Sequence, residues 1–183
     1  TTVNNGINND VKVPVTMEII DNGPGQLNST ADTLYSYEGT IMTEWQGFTG
    51  PGYPKKNYDF DLVDANGNKI DTSLLGMPAE NDWIFKAEYL DNSLLVNTVT
   101  YEFSRRMGRY APRTRFCEIF LDGTYIGVYT LTEKVKRDNN RVDIAKLTSA
   151  DTAGSALTGG YIIEMNINGD PAAWNSAYPP INS

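Results

Sequence analysis

Two adjacent lysines, Lys55 and Lys56, open a segment of alternating polarity, PKKNYDFDL. The alternation predicts a strand that places Lys56 on a face of aromatic and aliphatic side chains and Lys55 on the opposite, polar face. An ammonium group on a buried face needs a carboxylate or a phosphate as partner, unless its side chain reaches solvent past the sheet edge. Lys56 is therefore a candidate phosphate contact, and a one-residue register slip would give that role to Lys55.

A glycine-rich loop, QGFTGPGY, directly precedes the lysines. Glycines let backbone N–H groups approach a phosphate closely, and Gly47 and Gly50 are the candidate contacts. Glycine-rich loops are also common connectors, so this loop by itself is a weak signal.

Two glutamates could complete such a site, because phosphoryl transfer needs cations around the phosphates and carboxylates near the reacting groups. Glu102 lies beside the apolar stripe of a predicted helix, where it could pair with Lys56 or occupy a solvated boundary. Glu133 ends the strand GVYTLTE and precedes the basic run KVKRDNNR, which contains Lys134 and Arg141. The alternative for this second region is a strand end followed by a turn with local ion pairs.

The composition excludes several kinds of site. The chain contains no histidine, which removes His-dependent triads and His-ligated zinc. Its single cysteine, Cys117, forbids an internal disulfide and lies in an apolar run that favours a buried, inert thiol. A formal charge of −8 argues against a general binder of nucleic acid or anionic membranes. No run reaches the length of a membrane helix, and the first residues lack a basic-then-apolar signal pattern.

One helix is predicted at residues 92–107. Asp91 precedes it as an N-cap or as a functional carboxylate, and Gly108 terminates it. Its apolar residues recur on one stripe, which consists of Leu95, Val99, Phe103 and Met107.

Strands are predicted by polarity and β-propensity at residues 11–20, 33–47, 55–64, 114–123, 125–134 and 159–167. Asn66-Gly67 and Asp122-Gly123 are hairpin signals. The order of strands, a helix, a hairpin and a further strand predicts an α+β fold, with a mainly antiparallel sheet and a helix packed on one face.

Four motifs in fixed order resemble the CotH kinase family of spore coat protein H-like atypical protein kinases. They are PKKNYDFDL, LLGMPAENDW, DNSLLVN and GTYIGVYTLTEKVKRDNNRVDI, and the resemblance runs from about residue 16 to residue 164. The resemblance implies a fold like a protein-kinase small lobe, and a secreted or surface protein kinase that binds ATP with magnesium and phosphorylates Ser or Thr of a protein partner.

The resemblance also implies site roles. Lys56 and Glu102 would be catalytic, as the lysine–glutamate pair of kinases is. The cofactor would contact Lys55, Lys56, Gly47, Gly50, Glu133, Lys134 and Arg141. The sequence departs from the family pattern at Val96, where the family has arginine, and in the glycine loop, which lacks an arginine and a run of serines.

The expected organisation is a flexible segment at 1–10, a CotH-like N-terminal lobe at 11–168 and an extended tail at 169–183. The metal-binding aspartates would lie in a further C-terminal portion, so this fragment is expected to be inactive alone. Uncovered apolar residues near 133–161 would favour self-association. The alternative is a non-catalytic extracellular module that binds protein or polysaccharide, for instance in a polysaccharide-degrading assembly, or a structural coat component.

Overall fold

The computed structural model describes residues 6–47 and 52–163. The chain divides into two compact units, Thr1–Val142 and Asp143–Ser183. In its described part, the second unit contains one helical turn, α2 (Gly154–Leu157). The predicted boundary between lobe and tail, at residues 168 and 169, lies outside the described residues.

The first unit is built on a six-stranded antiparallel sheet with the order β1-β2-β3-β4-β6-β5. The strands are β1 (Val13–Ile19), β2 (Tyr37–Trp45), β3 (Tyr58–Val63), β4 (Asp82–Lys86), β5 (Thr114–Leu121) and β6 (Thr124–Glu133). One helix, α1 (Val96–Arg106), lies between β4 and β5 in the chain. Ile7 is buried, and the Asn8 carbonyl accepts a hydrogen bond from Trp45 N.

The centre of the sheet is covered on both faces because β3 alternates two kinds of side chain. Phe60 and Leu62 are fully buried in an apolar cluster with Trp83 and Leu131. On the other face Asp59 and Asp61 are buried beneath lysines, since Lys12, Lys69 and Lys134 contact them as ion pairs. One face is therefore closed by apolar packing and the other by charge pairing.

Both predicted hairpin turns are confirmed. Leu121 pairs with Thr124, so Asp122 and Gly123 form a two-residue loop in which both residues have positive φ, 47° and 73°. That conformation is the one whose twist matches antiparallel strands, and glycine adopts it without steric cost. At the other turn, Gly67 N donates to Asp64 O at 3.0 Å, and the Asp64 carboxylate accepts the backbone N–H of Asn66 and Asn68.

The predicted packing of the helix on the sheet is wrong. No residue of α1 is buried, and the apolar stripe is open, with exposed fractions of 47% for Leu95, 43% for Val99, 62% for Phe103 and 72% for Met107. The described part of the first unit is a mainly antiparallel sheet with one short helix, and it is neither the predicted α+β arrangement nor a helix-packed kinase small lobe. The stripe correctly predicted a helix, but periodicity does not determine which surface covers it.

Some strand boundaries also differ from the prediction. β3 begins at Tyr58, so the two lysines precede the strand and its alternation does not position them. β4, which supplies the buried Trp83, was not predicted. Residues 159–163 do not form a strand, and the rest of that predicted strand, residues 164–167, lies outside the described residues.

Candidate functional site

A cleft of about 680 Å³ lies where β2 ends, β3 begins, β4 ends and α1 begins. This volume is in the range of cavities that hold small ligands. Several sequence motifs meet here, because antiparallel pairing brings these strand ends together. The lining residues are Gln46, Gly47, Tyr53, Lys55, Asn57, Lys86, Glu88, Tyr89, Leu90, Asp91, Val96, Asn97 and Tyr101.

Lys55 is anchored at this cleft by backbone acceptors. Its ammonium donates to Ala87 O at 2.8 Å and to Val128 O at 2.5 Å, and it lies 4.5 Å from the centroid of the Tyr129 ring. Burial lowers the pKa of Lys55, and Glu88 partly opposes this shift. Lys55 therefore ties the loop before β3 to β4 and β6 while its side chain lines the cleft.

Lys86 brings a second ammonium group to the cleft from the end of β4. It donates to Gln46 Oε1 at 2.7 Å. Burial lowers the pKa of Lys86, and the repulsion of Lys134 adds to this, while Glu88 and Asp59 oppose it. Lys86 is not among the site residues predicted from the sequence, although it ends an otherwise apolar strand, WIFK, and so carries the signal that singled out Lys56.

The segment DNSLLVN forms the wall at the start of α1. The Asp91 carboxylate accepts the backbone N–H of Val96 at 2.8 Å and of Ser93 at 2.9 Å. The N-cap position is Leu95, so the prediction of Asp91 as the N-cap is wrong, although the Asp91 carboxylate accepts the N–H of the first helical residue, Val96. The pKa of Asp91 is lowered, first by the Ser93 hydroxyl and then by the Val96 N–H. The Asn97 amide donates to both oxygens of Glu88, at 3.1 and 2.8 Å.

Aromatic rings line the outer part of the cleft. Tyr53 and Tyr89 stack with centroids 5.3 Å apart and an interplanar angle of 29°. Burial raises the pKa of Tyr101, and the charge of Glu88 adds to the shift. The cleft thus combines two ammonium groups, carboxamides and two carboxylates with aromatic rings.

Lys56 is held apart from these groups. Its ammonium donates to Tyr53 O at 2.5 Å and lies 5.0 Å from the centroid of the Trp45 ring. Lys56 is not among the residues that line the cleft, whereas Lys55 and Gly47 are. Gly50 lies outside the described residues.

Glu102 pairs within its own helix. It accepts hydrogen bonds from Arg105 at 2.7 Å and from Arg106 at 2.8 Å. The Arg106 hydrogen bond, followed by that of Arg105, holds the pKa of Glu102 below its usual value. The described contacts therefore satisfy Glu102 without Lys56.

Glu133 and Arg141 belong to a buried ion-pair network. Their side chains are 0% and 1% exposed and lie 3.2 Å apart. Arg113 donates to Glu133 from both its backbone and its guanidinium group, at 2.8 and 3.1 Å. The Arg141 guanidinium also contacts Asp138 and the Pro78 carbonyl. The motif that follows β6 thus folds onto the sheet through charge pairs.

Lys134 belongs to the charged face of the sheet. It contacts Asp59 and, at 2.7 Å, Asp82. These ion pairs raise the pKa of Lys134 against the opposing effect of burial, which is the largest single influence. Among the expected cofactor contacts, the structure brings Lys55 and Gly47 to one cleft, while Lys134 and Arg141 lie in ion-pair networks.

Within residues 6–47 and 52–163, no group of three or more histidines, cysteines, aspartates or glutamates is placed to hold a metal ion. The same residues contain no helix long and apolar enough to cross a membrane. The structure therefore assigns no metal ligands.

Comparison with known proteins agrees with the motif order. No curated protein matches the sequence. The family model described as CotH kinase protein matches residues 47–178, which is more than half of the chain and includes every lining residue of the cleft except Gln46. The chain belongs to the CotH kinase protein family.

Proposed function

We propose that this chain is the nucleotide-binding part of a protein kinase that binds ATP with magnesium and phosphorylates Ser or Thr of a protein partner. Membership of the CotH kinase protein family supports the reaction class. The cleft beside β3 is the proposed phosphate site.

The observation that carries this proposal is the meeting of three separate motifs in one cleft. The glycine loop contributes Gly47, the segment before β3 contributes Lys55, and the DNSLLVN segment contributes Asn97. Gly47 and Asn97 lie 50 positions apart in the chain. Motifs that are distant in sequence and share a cavity with desolvated lysines are typical of ligand sites.

The residues of the cleft have distinct proposed tasks. A partly desolvated ammonium group interacts more strongly with phosphate oxygens than one in bulk water. Lys55 is held rigidly by two carbonyls, so it supplies a positive charge at a defined place. The Asn97 amide and the carboxylate of Glu88 hold each other, which fixes the wall of the cleft. Bound magnesium would supply neutralisation of phosphate charge, and no ligand for it is assigned among the described residues.

We expect the chain to bind ATP weakly and to show no appreciable phosphoryl transfer by itself. The two lysines favour binding, while the described residues offer no metal cluster to support transfer. Isothermal titration with ATP and magnesium measures the affinity for ATP. Incubation with labelled ATP and a Ser-rich acceptor peptide measures phosphoryl transfer.

Two outcomes would contradict these expectations. A chain that is folded by circular dichroism but binds no ATP would remove the proposed nucleotide site. Robust turnover by these residues alone would show that the chain itself supplies everything the reaction needs.

The second candidate is a non-catalytic module that binds polysaccharide or protein. Its support is an aromatic group on the β5–β6 hairpin, where Phe116, Phe120 and Tyr125 are all about half exposed. Phe120 and Tyr125 lie 5.2 Å apart between centroids, and the Tyr125 hydroxyl donates to Glu118 at 3.0 Å. Aromatic rings of this kind can stack on sugars. Retention on insoluble polysaccharides that is lost in Phe120→Ala, without ATP binding, would favour this candidate.

The proposed location is the cell surface or the extracellular space, consistent with the family. The proposed partners are a protein substrate and, for the second candidate, an assembly that degrades polysaccharides.

Self-association is a further proposal, supported by the open stripe of α1 and by Val135, which is 56% exposed. Light scattering over a concentration series tests it.

A further inference from the structure

We propose that Lys86 is the residue in the cleft that contacts the phosphate groups of the ligand, with Gln46 positioning its ammonium group. This inference rests on the proposed function, because it assigns a residue to the same site. It differs from the expectation drawn from the sequence, which placed this role on Lys56.

The two lysines of the cleft differ in how much of their hydrogen-bond capacity is used. An ammonium group has three N–H donors. Lys55 uses two of them on Ala87 O and Val128 O and rests on the Tyr129 ring, so its contacts are largely internal. Within the described residues, Lys86 makes a single hydrogen bond, to Gln46 Oε1. Lys86 therefore keeps donors for an acceptor that enters the cleft.

The charge of Lys86 also lacks a counter-ion at contact distance. Other lysines of the sheet pair directly with carboxylates, as Lys12 and Lys134 do with Asp59, and Lys69 does with Asp61. No carboxylate of the described residues lies within 4.0 Å of the Lys86 ammonium. An ammonium group that is removed from water without a paired charge is costly, and a bound anion offsets that cost.

Three charged groups act on Lys86 from a greater distance. Glu88 and Asp59 raise its pKa, and Lys134 lowers it, but burial outweighs them and the pKa falls. The two carboxylates are already bound elsewhere, Glu88 to Asn97 and Asp59 to Lys12 and Lys134. Neither is available as a direct partner, so the cleft retains an incompletely neutralised cation.

Gln46 has a positioning role. Its backbone N–H donates to Asn57 O at 2.9 Å, which fixes the end of β2 against the segment before β3. Its side-chain oxygen then holds the Lys86 ammonium at 2.7 Å. This contact holds Lys86 at the cavity that Lys55 and Asn97 also line.

The test is isothermal titration of the chain with tripolyphosphate and, separately, with ATP. We expect Lys86→Gln to weaken binding of both by at least about tenfold, because it removes a charge-assisted hydrogen bond. Lys86→Arg keeps the charge and should stay within a few-fold of wild type. Lys69→Gln is the matched control, since it removes an equal charge at an exposed site paired to Asp61, and it should change affinity by less than about twofold.

A measurement on the wild-type chain is also needed, because a variant could lose binding through a folding defect. In ¹³C-lysine NMR, the Cε signal of Lys86, assigned with Lys86→Arg, should shift during titration with tripolyphosphate. Equal binding by wild type and folded Lys86→Gln, or an unmoved Lys86 signal while the ligand binds, would overturn the assignment alone. Absence of binding by wild type to both ligands would instead contradict the proposed function on which it rests.

Discussion

Glu133→Gln should lower the free energy of unfolding by about 3–5 kcal/mol, toward the lower end of that range. The substitution keeps the side-chain shape but removes the charge that faces the Arg141 guanidinium at 3.2 Å in a fully buried setting. Arg141 would then remain buried with weaker compensation, since Asp138 at 3.2 Å and Glu80 at 3.6 Å are its other carboxylate contacts. Urea unfolding followed by far-ultraviolet circular dichroism measures the change.

The control for this prediction is Glu118→Gln. Glu118 is exposed on β5, and its hydrogen bond to Tyr125 is at the surface, so its replacement should have a much smaller effect. A stable Glu133→Gln variant that binds ATP more weakly than wild type would contradict the structural role and restore Glu133 as a cofactor contact. A destabilised variant that still binds ATP when folded would support a structural role for Glu133 in the buried ion-pair network.

Trp83→Ala should have a comparable or larger effect, with a loss of about 3–5 kcal/mol in the free energy of unfolding. Trp83 is 0% exposed at the centre of the apolar cluster, and its indole N–H donates to Glu80 O at 2.9 Å. Truncation removes buried apolar surface, leaves a cavity in the core, and removes one of the two hydrogen bonds to the Glu80 carbonyl, which keeps the one from Thr72 N. Urea unfolding by circular dichroism is again the measurement, because it does not depend on tryptophan fluorescence.

Phe103→Ala is the matched comparison for Trp83→Ala, since both remove an aromatic ring from a position that the sequence predicts to be apolar. Phe103 is 62% exposed on α1, so its loss should change the free energy of unfolding by no more than about 0.5 kcal/mol. A cost for Phe103→Ala similar to that of Trp83→Ala would show that the helix stripe is covered in solution. A negligible cost for Trp83→Ala would contradict the described core.

The ion-pair network explains the structural role of the charged residues that follow β6, in the segment KVKRDNNR. Arg113, Arg141 and Lys136 contact two buried glutamates. Glu133 ends β6, and Glu80 lies just before the neighbouring strand β4. Burial in this cluster also raises the pKa of Tyr110 to about 12, with the charge of Glu133 as the second cause. These charged residues therefore attach the loop at 134–142 to the sheet, whether or not a nucleotide is bound.

Local patterns were enough to determine much of this protein. Alternation and turn residues predicted β1, β2 and the β5–β6 hairpin, because side-chain period and positive-φ preferences act between near neighbours. The apolar stripe predicted α1 for the same reason, although the N-cap is Leu95 and not Asp91. The order of the four motifs identified the family before any geometry was known.

Only the tertiary structure decided which charged groups meet. The sequence pattern placed Lys56 at the site because it extends the strand back to residue 55, three residues too far. The strand begins at Tyr58, and the Lys56 ammonium donates to Tyr53 O. Lys86 enters the cleft because β4 pairs with both β3 and β6, a register that no local pattern specifies. Ion pairs and the covering of a helix face depend on residues far apart in the chain, and those partners are set by strand pairing rather than by sequence spacing.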